Sequence, residues 1–329
     1  MNIPLSVLDL APIPPGSTPA ESIAASVALA QRAEQTGYRR VWYAEHHNMP
    51  TIASSAPAVL IAHIGTRTSS IRLGAGGVML PNHSPLVIAE QFGTLDAMYP
   101  GRIDLGLGRA PGSDQNTMYA LRRDPRSADR FPQDVVELQG YLTGNSKVPG
   151  VDAIPGKGSN VPLYILGSST FGATLAAALG LPYAFASHFA PAMLRPAVEA
   201  YRREFQPSQQ LDRPYVIAGV NAIAADTRKA AEEAFAAARR SLAIGLFGRG
   251  RTLSDAEAQL LLDGGASTHI DSMLTHTALG TPPEVREYLT NFAREADADE
   301  LIVAHQTPGV EARLRSVELT AEAMQGVSV

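Results

Sequence analysis

The sequence predicts an α/β protein with the architecture of a (β/α)8 barrel, that is, a TIM barrel with insertions. Short apolar runs rich in branched residues alternate along the chain with longer stretches whose apolar positions repeat at helical spacing. This alternation is typical of βα units around a parallel sheet. Eight such runs fit within 329 residues, and no linker or composition shift divides the chain. We therefore expect one domain over residues 1–329.

The first βα unit shows how the elements are assigned. The apolar run 3–8 predicts the first strand, and the proline-rich stretch after it predicts a loop. Ser17 or Thr18 is placed to cap the helix that follows, with Glu21 in its first turn. Gly37 is suited to end that helix.

The remaining units follow the same two patterns. The further predicted strands are 41–44, 71–80, 102–108, 163–166, 183–187, 215–224 and 301–304. The further predicted helices are 57–66, 85–98, 134–142, 174–179, 193–205 and 227–246. The stretches 144–162 and 247–283 are longer than ordinary connections, and we interpret them as insertions.

Composition excludes several classes of function. The chain has no cysteine, which excludes disulfides, thiolate metal sites and a cysteine nucleophile. A net charge of −5 and 6% aromatic residues argue against nucleic acid as a partner. The start lacks the features of a secretory signal, and no apolar stretch is long enough to span a membrane. We expect a cytoplasmic protein with no membrane partner.

Polar residues after the second run are the first candidates for chemistry, because barrel enzymes carry their sites at the carboxyl ends of the strands. Here Glu45, His46 and His47 follow one another. An imidazole in this place can donate or accept a proton near neutral pH. Alternatively, one histidine caps the strand and the other packs against a helix. A metal shared by the two is not expected, because adjacent side chains point in opposite directions on an extended backbone.

Glycines interrupt the third run at Gly74, Gly76 and Gly77. They indicate either close packing between elements or a ligand that lies against the backbone.

Arg109 follows the fourth run, where its forked guanidinium group can bind an anion or form a structural salt bridge. Ser168 and Ser169 precede a predicted helix, where they can form an anion site with its N–H groups or simply cap it.

Four segments of the sequence carry a family resemblance. They are AEHH at 44–47, the glycine-rich strand ending in LP, PGRIDLGLGRAPG, and LGSSTFGATLAAALGLPYAFASHF. In this order they resemble the bacterial luciferase-like family of flavin-dependent monooxygenases, over nearly the whole chain. The resemblance implies a (β/α)8 barrel that binds FMN at the carboxyl ends of its strands, and a homodimer.

The same resemblance implies roles for the residues that hold the cofactor. Arg109, Ser168 and Ser169 match the positions that bind the FMN phosphate. Gly76–Gly77 falls where family members have a non-proline cis peptide beneath the flavin ring.

It also implies roles around the reacting centre. His46 matches the family's active-site histidine, which assists proton transfer or steadies a flavin peroxide. Glu45 acts with it in the catalytic group, and His47 supports both. Asn82 and His83 are expected to line the edge of the flavin.

The implied activity is that of a monooxygenase acting on paired donors. Reduced FMN, a co-substrate from an NAD(P)H-dependent flavin reductase, reacts with O2 to a C4a-peroxide that oxygenates a small organic substrate. Luciferase has a cysteine where Gly108 stands and a carboxylate where Gly167 stands, so light emission is not supported. Two alternatives remain: a deazaflavin-dependent reductase or dehydrogenase on the same barrel, and a non-catalytic flavin-binding protein.

Overall fold

A computed structural model describes residues 3–110, 115–248 and 253–325. Its strands are β1 (Leu5–Asp9), β2 (Arg40–Tyr43), β3 (Arg72–Met79), β4 (Ile103–Gly108), β5 (Leu163–Gly167), β6 (Tyr183–Phe185), β7 (Val216–Ala224), β8 (Thr277–Gly280) and β9 (Glu300–His305). Its helices are α1 (Pro19–Gln35), α2 (Pro57–Gly65), α3 (Pro85–Met98), α4 (Gln115–Ala120), α5 (Phe131–Thr143), α6 (Thr170–Leu179), α7 (Leu194–Glu204), α8 (Arg228–Phe247), α9 (Asp255–Leu261), α10 (Ser267–Met273), α11 (Pro282–Glu295) and α12 (Val310–Met324). None of these helices has the length and apolar character needed to cross a membrane.

The strands close into a barrel of eight parallel strands. Each strand from β1 to β6 pairs with the next, β6 pairs with β7, β7 with β9, and β9 returns to β1. The predicted (β/α)8 barrel is confirmed. The predicted first helix and its cap are also confirmed, because the Thr18 hydroxyl accepts the N–H of Glu21 at 3.2 Å while the Glu21 carboxylate accepts the N–H of Thr18 at 2.7 Å.

The prediction of eight strands was incomplete, because the described residues contain nine. The additional strand, β8, lies within the stretch 247–283 and pairs only with the carboxyl half of β7, outside the barrel. It has four residues and lacks the branched run by which the other strands were predicted. The predicted strand 301–304 is therefore β9. Residues 249–252 of that stretch lie outside the described residues.

Several helices were missing from the prediction or began late. Helices α4, α9 and α10 have six or seven residues, too few for a helical repeat to stand out. Helix α11 shows apolar residues at helical spacing, but neither α11 nor α12 was among the predicted helices. Helix α6 begins at Thr170 and not at 174, which makes Ser169 the residue that precedes it.

Alternate residues of each barrel strand point inward. One inward layer is an apolar cluster of Leu8, Trp42, Tyr164, Ala184, Ile217 and Ile302. Residues between them on the same strands, such as Val7 and Val41, belong to the main core between the barrel and its helices. Every second residue beyond the inward layer, toward the carboxyl ends, therefore faces the opening of the barrel.

A buried ionic cluster closes the opposite end, at the amino ends of the strands. Arg40 contacts Asp104 at 2.7 Å and Glu300 at 2.9 Å, and the three side chains are at most 1% exposed. Arg40 also donates to the Tyr164 hydroxyl at 2.7 Å, and Arg72 contacts Asp104 at 2.5 Å. Burial alone would lower the pKa of Arg40, but Glu300 and Asp104 outweigh burial and raise it. The cluster joins β2, β3, β4, β5 and β9.

Candidate active site

The carboxyl ends of the strands bring together side chains from distant parts of the sequence. The inward alternation of β2 runs from Trp42 to His46, just beyond the strand. In the same way, the inward faces of β6, β7 and β9 lead to His188, Asn221 and Gln306. The opening is therefore surrounded by polar side chains above an apolar layer.

Glu45 is the centre of a hydrogen-bond network that joins the carboxyl end of β2 to the carboxyl end of β3. Its Oε1 accepts hydrogen bonds from Nε2 of His47 at 2.7 Å and from Nε2 of His83 at 2.8 Å. Its Oε2 accepts the backbone N–H of Met79 at 3.0 Å. The carboxylate is 1% exposed, so these donors stabilise a charge with little access to water. The sequence-predicted residues His47 and His83 are both partners of Glu45.

The hydrogen bonds to Glu45 decide its charge. Burial alone would raise the pKa of Glu45, but the hydrogen bond and charge of His83, with the hydrogen bonds of His47 and Met79, outweigh burial and lower it. Glu45 is therefore ionised at neutral pH. With both oxygens already accepting hydrogen bonds, it is better placed to position its neighbours than to exchange a proton.

His46 differs from its neighbours because its ring has no hydrogen-bond partner within the described part of the chain. Its Nδ1 is buried and unpaired, while Nε2 lies on the side of the half-buried ring that is open to solvent. Burial lowers the pKa of His46; nearby Glu45 opposes this effect and His47 adds to it. His46 is therefore a neutral imidazole at neutral pH. The backbone N–H of His46 donates to the Ser54 carbonyl at 3.0 Å, which holds the loop after β2 in place.

The peptide bond between Gly76 and Gly77 is cis, as the resemblance implies. A Cβ on Gly76 would lie 2.8 Å from the Cβ of Trp42, and one on Gly77 would lie 2.8 Å from the carbonyl oxygen of Gly106. Close packing of the strands is thus a sufficient reason for these glycines.

Asn82 is buried in the short turn after β3, and its backbone carbonyl accepts a hydrogen bond from the side chain of Arg123 at 3.0 Å.

The exits of β4 and β5 meet at a place suited to an anion. The guanidinium carbon of Arg109 lies 4.1 Å from the ring centroid of Phe171, in the first turn of α6. Ser168 and Ser169 are exposed, and the Ser169 side chain does not cap the helix. The first turn of α6 has no acidic residue, and Arg109 forms no ion pair with another described residue. Free N–H groups, hydroxyls and a guanidinium therefore lie together.

Residues 111–114, which follow this arginine and include the end of the GLGRAPG motif, lie outside the described residues.

Three polar residues at the opening were not predicted from the sequence. The Nδ2 of Asn221 donates to the carbonyl oxygen of His188 at 2.6 Å, and the Nε2 of Gln306 donates to Oδ1 of Asn221 at 3.1 Å. Burial lowers the pKa of His188 to about 4, so this is a second neutral imidazole. A signal was present in the sequence, since Asn221 is a polar residue inside the apolar run of β7.

Comparison with known proteins matches most of this chain to one family. The family model described as luciferase-like monooxygenase matches residues 3–300. A luciferase-like monooxygenase of Escherichia coli strain K12 is 48% identical and covers 98% of this chain and 97% of its own length. The N-acetyl-S-alkylcysteine monooxygenase of Bacillus subtilis strain 168 is 32% identical and covers 98% of both chains. The crystal structure of apo-MsnO8 is 37% identical, with a TM-score of 0.88 over 98% of each chain.

More distant solved structures share the fold with different cofactors. The oxygenating component of 3,6-diketocamphane monooxygenase from Pseudomonas putida, solved with FMN, is 15% identical with a TM-score of 0.73, over 98% of this chain and 97% of that one. An F420-dependent secondary alcohol dehydrogenase is 18% identical with a TM-score of 0.71, over 99% of this chain and 100% of that one. At these identities the likeness shows the fold alone.

Proposed function

Because the chain belongs to the luciferase-like monooxygenase family, we propose that it is an FMN-dependent monooxygenase that uses reduced FMN and O2 to oxygenate a small organic substrate. One observation carries the proposal. The exposed guanidinium of Arg109 lies beside the uncapped start of α6, at the same end of the barrel as the neutral imidazole of His46.

The residues at the opening fit FMN. Arg109 would hold the phosphate with Ser168, Ser169 and the free N–H groups of α6, which together supply charge and directed donors. Gly76–Gly77 presents backbone without side chains, against which a flat ring can lie. Bound reduced FMN would supply the electrons with which O2 is activated.

The protein's own contribution would be position and proton control. The unpaired Nδ1 and the open Nε2 of His46 allow this ring to hold or deliver one proton at the opening. Glu45 would hold the carboxyl ends of β2 and β3 together through His47, His83 and Met79. This would fix the position of His46 relative to the Gly76–Gly77 backbone. Asn82 and His83 would border the flavin beside this network.

The partners belong to the same proposal. An NAD(P)H-dependent flavin reductase would supply reduced FMN, and the cytoplasmic location stays a prediction of the sequence. The exposed apolar side chains of Val59 on α2, and of Val87 and Met98 on α3, support a homodimer, because the two helices are neighbours.

Anaerobic titration with FMN, riboflavin and F420 tests the cofactor. We expect reduced FMN to bind with a Kd of about 1 µM or tighter. Arg109→Ala should weaken FMN binding about tenfold or more and leave riboflavin nearly unchanged, because only FMN has the phosphate. Fluorescence or calorimetry measures each Kd.

Arg126→Ala is the matched control, because Arg126 is 84% exposed and pairs only with Asp124 among the described residues. Equal losses for FMN and riboflavin would show that Arg109 does not bind the phosphate. Binding of F420 without FMN would replace the proposal by the deazaflavin alternative, and binding of neither would remove it.

A further inference from the structure

The amides of Asn221 and Gln306 form a hydrogen-bonded chain whose direction is fixed. A backbone carbonyl only accepts hydrogen bonds, so Asn221 must turn Nδ2 toward the carbonyl oxygen of His188, 2.6 Å away. Its Oδ1 is then an acceptor, and Gln306 must turn Nε2 toward that oxygen at 3.1 Å. The chain therefore ends in Oε1 of Gln306, which can only accept.

This terminal oxygen is held in place, but it accepts no hydrogen bond from the residues that the structure describes. Asn221 is 0% exposed, and its backbone N–H is fixed by the carbonyl of His276 at 2.9 Å. The backbone N–H of Gln306 donates to the carbonyl of Ala222 at 3.3 Å. No residue that the structure describes donates to Oε1 of Gln306, which is half-buried just beyond β9. A ligand that donates here would meet an acceptor whose orientation costs little further entropy.

The other end of this chain lies beside two uncharged rings, those of His188 and Phe189. Burial lowers the pKa of His188 to about 4, so its ring is neutral at neutral pH. A Cβ on Gly219 would lie 2.4 Å from Nδ1 of that ring, so the glycine makes room for the imidazole against β7. The ring of Phe189, 46% exposed, packs edge-on against His188 with 5.0 Å between centroids. An uncharged ligand with an apolar body suits this side, whereas a carboxylate would face Oε1 of Gln306 with no hydrogen to donate to it.

We propose that Oε1 of Gln306 accepts a hydrogen bond from a hydroxyl or N–H group of the organic substrate, an uncharged molecule whose apolar body packs near Phe189. Asn221 is the positioning residue that orients this acceptor. The inference rests on the proposed function for the presence of an organic substrate at the opening, and it deepens that function by naming the class of substrate.

Two probes that differ only in the donor test this inference on the full chain. They are 4-methylphenol and 4-fluorotoluene, which share an apolar body but differ in a hydroxyl replaced by fluorine. We expect the phenol to bind about fivefold more tightly, the factor expected from one neutral hydrogen bond. In Gln306→Met, which keeps the length of the side chain without the amide, this difference should disappear. Ligand-observed NMR titration measures both dissociation constants.

Gln209→Met is the matched control, because Gln209 is exposed and makes no hydrogen bond to another described residue. Equal binding of the two probes by the unmodified protein, binding of neither, or a difference that survives Gln306→Met would overturn the inference. The FMN affinity of the same samples separates the two proposals. Probe discrimination without FMN binding contradicts the proposed function alone, and FMN binding without discrimination contradicts this inference alone.

Discussion

At the exit of β2, three consecutive ionisable residues differ in what surrounds them. Glu45 accepts hydrogen bonds from His47, His83 and Met79 and is ionised, whereas His46 has an unpaired ring and is neutral. A neutral imidazole that is open to the site can take up or release a proton, and a carboxylate saturated with donors holds its neighbours still. These surroundings support the proposal that His46 transfers a proton and that Glu45 positions its neighbours.

His46→Gln should separate cofactor binding from chemistry. Glutamine keeps a polar side chain of similar length but cannot carry the proton, so FMN should bind within about twofold while its reoxidation by O2 changes about tenfold or more. Stopped-flow absorbance of the bound flavin measures this rate. His63→Gln serves as the control, because His63 is exposed on α2. An unchanged reoxidation rate in His46→Gln would remove His46 from the mechanism.

The sequence identified the residues of this network but not their pairing. Glu45, His46 and His47 were recognised because they follow an apolar run. His83 is 38 positions from Glu45, and only the parallel pairing of β2 with β3 brings the two exits together. Asn221 and Gln306 were not predicted as partners, because each is a single polar residue in the sequence and their strands become neighbours only in the closed barrel.

At the scale of elements, the close approach of β3 to β4 depends on glycines. A Cβ on Gly106 would lie 2.3 Å from the carbonyl oxygen of Ala75 and 2.6 Å from Cδ1 of Leu166. The first neighbour is backbone and cannot move without shifting the strand. We therefore interpret this glycine as a requirement of the barrel wall.

Gly106→Ala should destabilise the protein by about 3 kcal/mol or more, because one added methyl group forces the two strands apart. Gly264→Ala is the control: a Cβ there meets nothing within 4 Å, and alanine favours helix over glycine. Urea unfolding followed by circular dichroism measures both changes. A Gly106→Ala protein as stable as the Gly264→Ala protein would contradict the packing that we describe.

Which elements the sequence could predict depends on how local their signal is. The start of α1 was predictable because Thr18 and Glu21 form their capping box within four residues. Strand β8 was not, because it has four residues and is stabilised by pairing with β7 rather than by an apolar run of its own.

At the scale of the whole molecule, Arg40 connects strands that are far apart in the sequence. Its partners Asp104 and Glu300 belong to β4 and β9, on different sides of the barrel. Two carboxylates buried at 0% exposure depend on Arg40 and Arg72 for compensation. No composition or periodicity in the sequence indicates such a cluster, since its members become neighbours only when the barrel closes.

Arg40→Met should lower the free energy of unfolding by about 3–5 kcal/mol, because it removes the one buried cation that Asp104 and Glu300 share and leaves only the more exposed Arg72 and Arg39 beside them. Lys157→Ala removes an exposed ion pair with Asp152 and should cost less than about 1 kcal/mol. Denaturant unfolding of both variants measures the difference. Similar stabilities of the two variants would mean that the ionic cluster does not hold the barrel together.

The closed amino end of the barrel also constrains the order in which ligands could bind and leave at the other end. Arg40, Asp104 and Glu300 fill that end, and the apolar layer of Leu8 and Ile302 lies above them, so this end offers no passage. Two ligands that share the barrel would then both enter and leave through the opening at the carboxyl ends of the strands. Under the proposed function, the ligand that binds deeper would arrive first and leave last, so binding would be sequential and the outer ligand could trap the inner one.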